Sequence, residues 1–450
     1  MPGGDTSGPN PGGFGGFDFE ELRKLLEQLG MTGGGDVDFG QLMEQFAKAQ
    51  AQGGGAFGFS NADRDPDAAW RTTITSAKQL TQALGPDPAL TAGEGVAIVD
   101  AERLAQSWLS TQTTFPETGI PPETLRREEW LDETSAGWRA IVEPIMNGLA
   151  EALERGAVQE EDSELGMLSS MLAPMMRQSA SLIYRDRLKR VLAEVASSTL
   201  TGTEIGINLL PRARVTILQS NVAEFTRDLE VPESDVLLYL VLREAARIRL
   251  FHHVGWLSPQ LNALLAHYAR EIVIDFEAIS SGFDPSNLEQ FTLEDIVKVG
   301  EQVRGSFFKP ASTEIQLEIL GRLEVLLALI EGWVDHVANR AIEPWLPNAG
   351  ALSEVVRRRR AAAGPTQEVF GDLLGLELRP RLVRDAENLW AAVEHDRGSD
   401  ARDAVWQHPD LLPTAEHLAD PLSYGRQAEA EAAPDDLDAE LRRLLDSDGS

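Results

Sequence analysis

The chain has 450 residues, room for two or three domains or for one large helical domain with appendages. Hydrophobic residues make up 42%, enough for a packed core, while Lys and Arg total 40 against 72 Asp and Glu, a net charge of −32. That charge disfavours phosphate backbones and anionic lipid as general partners. The absence of cysteine excludes disulfides and thiolate metal sites, leaving any metal to the carboxylates and the seven histidines.

Residues 1–60 read as a Gly-rich flexible arm with two short amphipathic pieces, Phe19–Leu29 and Phe39–Ala51. The first residues lack the basic and apolar regions of a signal peptide, and no stretch of some twenty uncharged apolar residues occurs. A soluble, cytoplasmic protein is the expectation, with neither nucleic acid nor membrane as partner. From Asp67 the spacing of Trp70, Ile74, Ala77, Leu80 and Leu84 predicts a helix stopped by Pro86 and Pro88. Glu102–Leu109 and Ser135–Arg155 repeat the pattern, and Glu164–Ser197 continues it across Pro174, with Met167, Met171, Met175 and Met176 near one face. Ile205, Ile207 and Leu209, then Val215, Ile217 and Leu218, predict short extended segments around Pro211, a small sheet or hairpin.

Helical patterning returns at Asp235–Val254, continues from Ser258-Pro259 to about Ile279, opens again at Thr292, and fills Thr313–Ile342. Then come the basic run Arg357–Arg360, expected as a solvated helix end or a partner for the acidic tail, and an amphipathic part to about Val393. The last residues, 426–450, are expected as an acidic mobile tail. The fold class expected is mainly α with a small β element and flexible termini, and the central domain spans 61–425, helical over 61–200 and motif-bearing over 201–425.

The helix from Asp235 carries the frame Arg243-Glu244-Ala245-Ala246-Arg247. A zincin helix reads H-E-x-x-H: the i, i+4 imidazoles share a face and one zinc, and the glutamate is general base to its bound water. Here Glu244 keeps the base position, but both ligand positions hold arginine. A guanidinium stays protonated at neutral pH and has no lone pair for zinc, so a conventional site on Arg243 and Arg247 is excluded. Glu331 lies in an apolar helix, where an unpaired carboxylate is costly, so a salt-bridge cluster of Glu331 and Glu244 with Arg243 and Arg247 is the expected arrangement. A relocated metal site drawn from His252, His253, Glu331 and His336 is the rival, although their spacings are poor for a shared face. His267 with Glu271, His395 and His408 read as structural. No nucleophile elbow, phosphate-binding loop or dinucleotide fingerprint is present.

The phrases LREAARIRLFHHVGWL, LLALIEGWVDHV, GLELRPRLVRDAENLW and AVWQHPDLLPTAEHLADP together resemble an actinobacterial zincin-like metallopeptidase family, over roughly residues 60–425. The resemblance implies a mostly helical zincin-like fold, a peptidase where the ligands survive, and zinc as cofactor only if the protein is active. It puts Glu244 at the general-base position and Glu331 where a third ligand lies. Three functions follow as expectations: a catalytically degenerate member binding a protein or peptide in the former cleft, an active zinc hydrolase with rearranged ligands, or a scaffold using its flexible arms.

Overall fold

The computed structural model describes residues 65–158, 181–182, 184–227, 229–273, 313–363, 365, 368–373 and 381–424. The arm at 1–60, the helix opening at Thr292, the methionine face and the acidic tail fall outside them. The chain divides into two compact units, one of residues 1–80, 146–190 and 273–311, the other of 81–145, 191–272 and 312–450. In the first unit Ala69, Ile74, Ala77, Leu149, Ala152 and Leu188 are buried on its helical segments.

The architecture is mainly α. Helix α1 (Pro66–Leu84) starts with proline, whose missing N–H costs nothing in a first turn. Helix α2 (Ala92–Leu109) is fixed at its start by a capping box, in which Thr91 Oγ1 accepts from the Glu94 N–H and Glu94 accepts from the Thr91 N–H at 2.8 Å. Those hydrogen bonds hold the Glu94 carboxyl below its usual range. Helix α3 (Arg127–Val158) begins eight residues before the expected Ser135, because Glu128 and Glu129 fill its first turn and Glu129 accepts from the Arg126 N–H at 2.9 Å. Residues 184–198 form α4.

The small β element expected here is present as a two-stranded sheet rather than a hairpin. Strand β2 (Thr216–Ile217) pairs in parallel with β1 (Glu123–Thr124), with Glu123 opposite Thr216 and Thr124 opposite Ile217. Thr201 makes an isolated antiparallel bridge to Ile217. Ile205 to Leu209 is buried but not a strand, so no hairpin forms around Pro211.

After α5 (Gln219–Thr226) come α6 (Glu233–His253) and α7 (Leu257–Arg270). Helix α7 ends well short of Ile279, with Glu271 leaving helical geometry at its C-cap. Helix α8 (Glu314–Ile342) opens on a Thr313–Gln316 capping box and is buried almost all round from Leu323 onward. Then follow α9 (Ala349–Ala363), a π-helical turn at Glu368–Leu373, α10 (Arg381–Ala404), two 3-10 turns and α11 (Ala415–Ala419).

The second unit is organised about α8, which packs on α6, α7 and most extensively on α10. Gly332 sets the last approach: a Cβ there would meet Ala386 Cβ at 2.6 Å and the Glu387 nitrogen at 2.7 Å. Only a residue without a side chain lets the two backbones come so near. The buried indoles of Trp333 and Trp390 flank the seam, donating to Asp403 Oδ1 at 3.0 Å and to the Leu329 carbonyl at 2.9 Å. Among the described residues no helix is long and apolar enough to cross a membrane.

Candidate functional site

Arg243 and Arg247, four residues apart on α6, share the face turned to α8. There Arg247 forks onto Glu331, Nε to Oε1 at 2.8 Å and Nη2 to Oε2 at 3.0 Å. Its third nitrogen, Nη1, reaches Glu244 Oε2 at 3.1 Å. One guanidinium therefore bridges the carboxylate at the base position and the one on α8. Arg243 Nη2 contacts Glu331 Oε2 at 3.3 Å and Asp335 Oδ1 at 2.6 Å.

Two members of this cluster were not among the residues the sequence assigned to it. Asp335 stands four residues after Glu331, so its carboxylate shares that face of α8. Arg360 comes in from α9, with Nη2 at 3.2 Å from Asp335 Oδ1 and Nη1 at 3.5 Å from Glu331 Oε2. The signal for Asp335 was there to read, since an Asp at i+4 from a Glu in an apolar helix asks for a shared cation. Arg360 carried no such signal, because its neighbours are set only by the turn between α8 and α9.

The basic run is thus not a solvated helix end. Arg357 binds Glu387 at 2.6 Å, Arg359 binds Glu204 at 3.2 Å, lies over the Phe225 ring and donates to the Ser198 carbonyl, and only Arg358 is well exposed, beside Glu354.

Glu244 is wholly buried. The loop from α4 to the 201 bridge closes over it: Thr203 donates its N–H to Oε1 at 3.1 Å and its hydroxyl to Oε2 at 2.7 Å. Gly202 permits the contact, since a Cβ there would lie 2.7 Å from Thr216 Cβ and 3.3 Å from Glu244 Oε1.

The electrostatics follow from burial and pairing. Desolvation pushes the Glu331 carboxyl up, but Arg247, Arg360 and Arg243 together outweigh it and hold it below the usual carboxylate range. Asp335 is lowered in the same way, against burial, chiefly by Arg243 and Arg360. Glu244 goes the other way: burial raises it, and Arg247 and the threonine hydrogen bonds offset only part of that. Three guanidiniums against three carboxylates make a set whose formal charges cancel with no further ion.

The remaining histidines do not join. His336 Nε2 lies 2.6 Å from Glu394 Oε2 and is lowered by burial. His253 Nε2 lies 2.9 Å from the Pro116 carbonyl, and His252 stands edge-on to it at the exposed end of α6. His408 accepts from the Asp410 N–H at 3.2 Å in a turn. Among the described residues, no group of three or more His, Asp or Glu is arranged to hold a metal.

A sequence profile of zincin-like metallopeptidases matches residues 69–424. The chain belongs to the zincin-like metallopeptidase family. No curated protein matches it. A solved structure from Chloroflexus aurantiacus, provisionally named a hydrolase with a novel fold, is similar at a TM-score of 0.56 and 18% identity, over 80% of this chain and 98% of that one. That likeness is one of fold. The zinc that the family name implies does not fit the residues present: the frame offers the metal two protonated guanidiniums where it needs lone pairs, and Glu331 already accepts from both and is ion-paired with Arg360 as well.

Proposed function

We propose that this zincin-like protein does not hydrolyse peptides and acts instead by binding a protein or peptide. One observation carries the reading: the Arg247 guanidinium bridges Glu244 and Glu331, filling the position from which a metal would serve both. With Glu244 buried and hydrogen-bonded to Thr203, its carboxylate has no path to a water awaiting activation. The former centre is closed, so a partner meets the surface around it rather than the ion pairs themselves.

Metal analysis tests this. Purified protein incubated with zinc and then dialysed is expected to hold far less than one zinc per chain. A stoichiometric zinc that survives mild dialysis refutes the reading.

Family membership favours a second reading, an active hydrolase with ligands drawn from His252, His253, Glu331 and His336. It requires His336 to leave Glu394 and Glu331 to leave its arginines. Chelator-sensitive peptide cleavage, lost in Glu244→Gln, is the result it needs.

A further inference from the structure

Arg249 lies on α6 beyond the ion cluster and turns to α2. It is wholly buried, and it donates to Gln106 Oε1 at 2.9 Å from Nε, to the Gln106 carbonyl at 2.9 Å from Nη2 and to the Phe115 carbonyl at 2.9 Å from Nη1. From the other side Asp403 accepts from the Thr113 hydroxyl at 2.6 Å and the Thr114 N–H at 2.8 Å. The loop 110–117 is therefore fixed at both flanks. Beside it opens a cavity of about 760 Å³, lined among others by Glu102, Ser107, Thr114, Glu117 and Asp400. On balance the charge it presents is acidic: Glu102, Glu117 and Asp400 face it against Arg249, whose hydrogen-bond acceptors are neutral and whose charge acts on Glu117 and Glu102, and Arg103 at the edge, which is paired with Asp100 at 3.0 Å.

An apolar patch adjoins this cavity on the same helix. Leu104 is one helical step from Ser107 and from Trp108, and it is exposed. Trp108 stacks on Trp345 with ring centroids 5.6 Å apart and planes 2° from parallel, and Trp345 is 63% exposed. A stacked indole held rigid yet open to water is the residue type that dominates binding surfaces, and an exposed apolar patch beside polar groups marks such surfaces.

We propose that this face of the second unit docks a cationic, amphipathic segment of a partner protein. An apolar side chain lies on Leu104, Trp108 and Trp345, and a Lys or Arg enters the cavity among Glu102, Glu117 and Asp400. Charge complementarity selects that occupant, in a chain whose net charge is −32. The inference rests on the reading that the protein acts by binding, and it places the binding.

Peptides of about twelve residues test it. One is built of Lys, Leu and Trp, one has Glu for Lys, and one has Ser for Lys; each is titrated against the full chain by fluorescence anisotropy. Only the Lys peptide is expected to bind, more weakly as salt rises. Trp345→Ala and the pair Glu117→Gln with Asp400→Asn are each expected to weaken it by about fivefold or more, with an unchanged circular dichroism spectrum. Neutralising two exposed acids elsewhere, Glu314→Gln with Glu318→Gln, is expected to leave it unaltered. Equal loss in both acid pairs means diffuse attraction to an acidic chain and overturns the proposal, as does failure of the Lys peptide to bind at millimolar concentration. A concentration-dependent dimer abolished by Trp345→Ala makes a second copy the occupant and overturns it too. Zinc retention is read separately, so neither result stands in for the other.

Discussion

Replacing Arg247 with methionine tests the ion cluster where it is most connected. The change keeps the buried volume roughly constant and removes the fork onto Glu331, at 2.8 and 3.0 Å, together with the 3.1 Å contact to Glu244. Glu331 retains Arg243 and Arg360, at 3.3 and 3.5 Å. Glu244 retains only hydrogen bonds, and its carboxyl, already raised by burial, loses its one guanidinium partner. Removing one partner from a buried pair costs about 3–5 kcal/mol, because the abandoned charge stays buried. Glu244 keeps its two hydrogen bonds from Thr203 and Glu331 keeps two guanidiniums, so the low end, about 3 kcal/mol, is the expected loss. Urea unfolding at pH 7, followed by tryptophan fluorescence, gives the number. A double-mutant cycle with Glu331→Gln should return a coupling of about 1 kcal/mol or more, since the two side chains share two hydrogen bonds. A loss in Arg247→Met below about 1 kcal/mol, with no coupling, refutes the view that this bridge holds α6 to α8.

Other outcomes follow from the same geometry. Glu331 and Asp335 are held below their ordinary values, so their stabilisation is present above the unfolded carboxylate range and is lost as pH falls through the folded values; Asp335→Asn should lower stability at pH 7 and flatten its decline toward acid, read by urea midpoints from pH 7 to pH 3. Glu244 has the opposite sign, its carboxyl being raised, so Glu244→Gln should relieve a cost that grows as pH rises through its folded value; a Gln variant that loses stability most at high pH contradicts this. Gly332→Ala meets Ala386 Cβ at 2.6 Å and should cost about 1–3 kcal/mol in a thermal melt, whereas Gly321→Ala, on the same helix with open space around it, should gain up to about 1 kcal/mol.

Much of this arrangement was legible in the chain, and the reasons differ by residue. The helices bearing Arg243, Arg247 and Glu331 follow from apolar periodicity, and a charge inside such a helix announces its need for an opposite one. Asp335 obeys the same rule, yet it hides in a phrase whose histidine, His336, draws attention and turns out to serve Glu394. Arg360 reaches the cluster through the path of α9, and no local pattern tells which of four consecutive arginines faces inward. Of the small sheet or hairpin expected at 205–218 the sheet is there, but its second strand was hidden for a related cause: β1 is two residues long, too short for a periodic signal, and lies far upstream of its partner. Loop 199–206 was equally opaque, since its position depends on Gly202 passing Thr216 without a side chain.

The bridging guanidinium has a consequence for how this protein meets its surroundings. A zinc ion is on loan from a shared pool: it can be withdrawn by competitors and returned, and a centre built on it registers scarcity. The Arg247 group is part of the polypeptide, so what joins α6 to α8 is present from synthesis and cannot be stripped out. On the reading proposed above this junction draws on no supply, and the core is expected to be indifferent to chelators and to metal starvation alike.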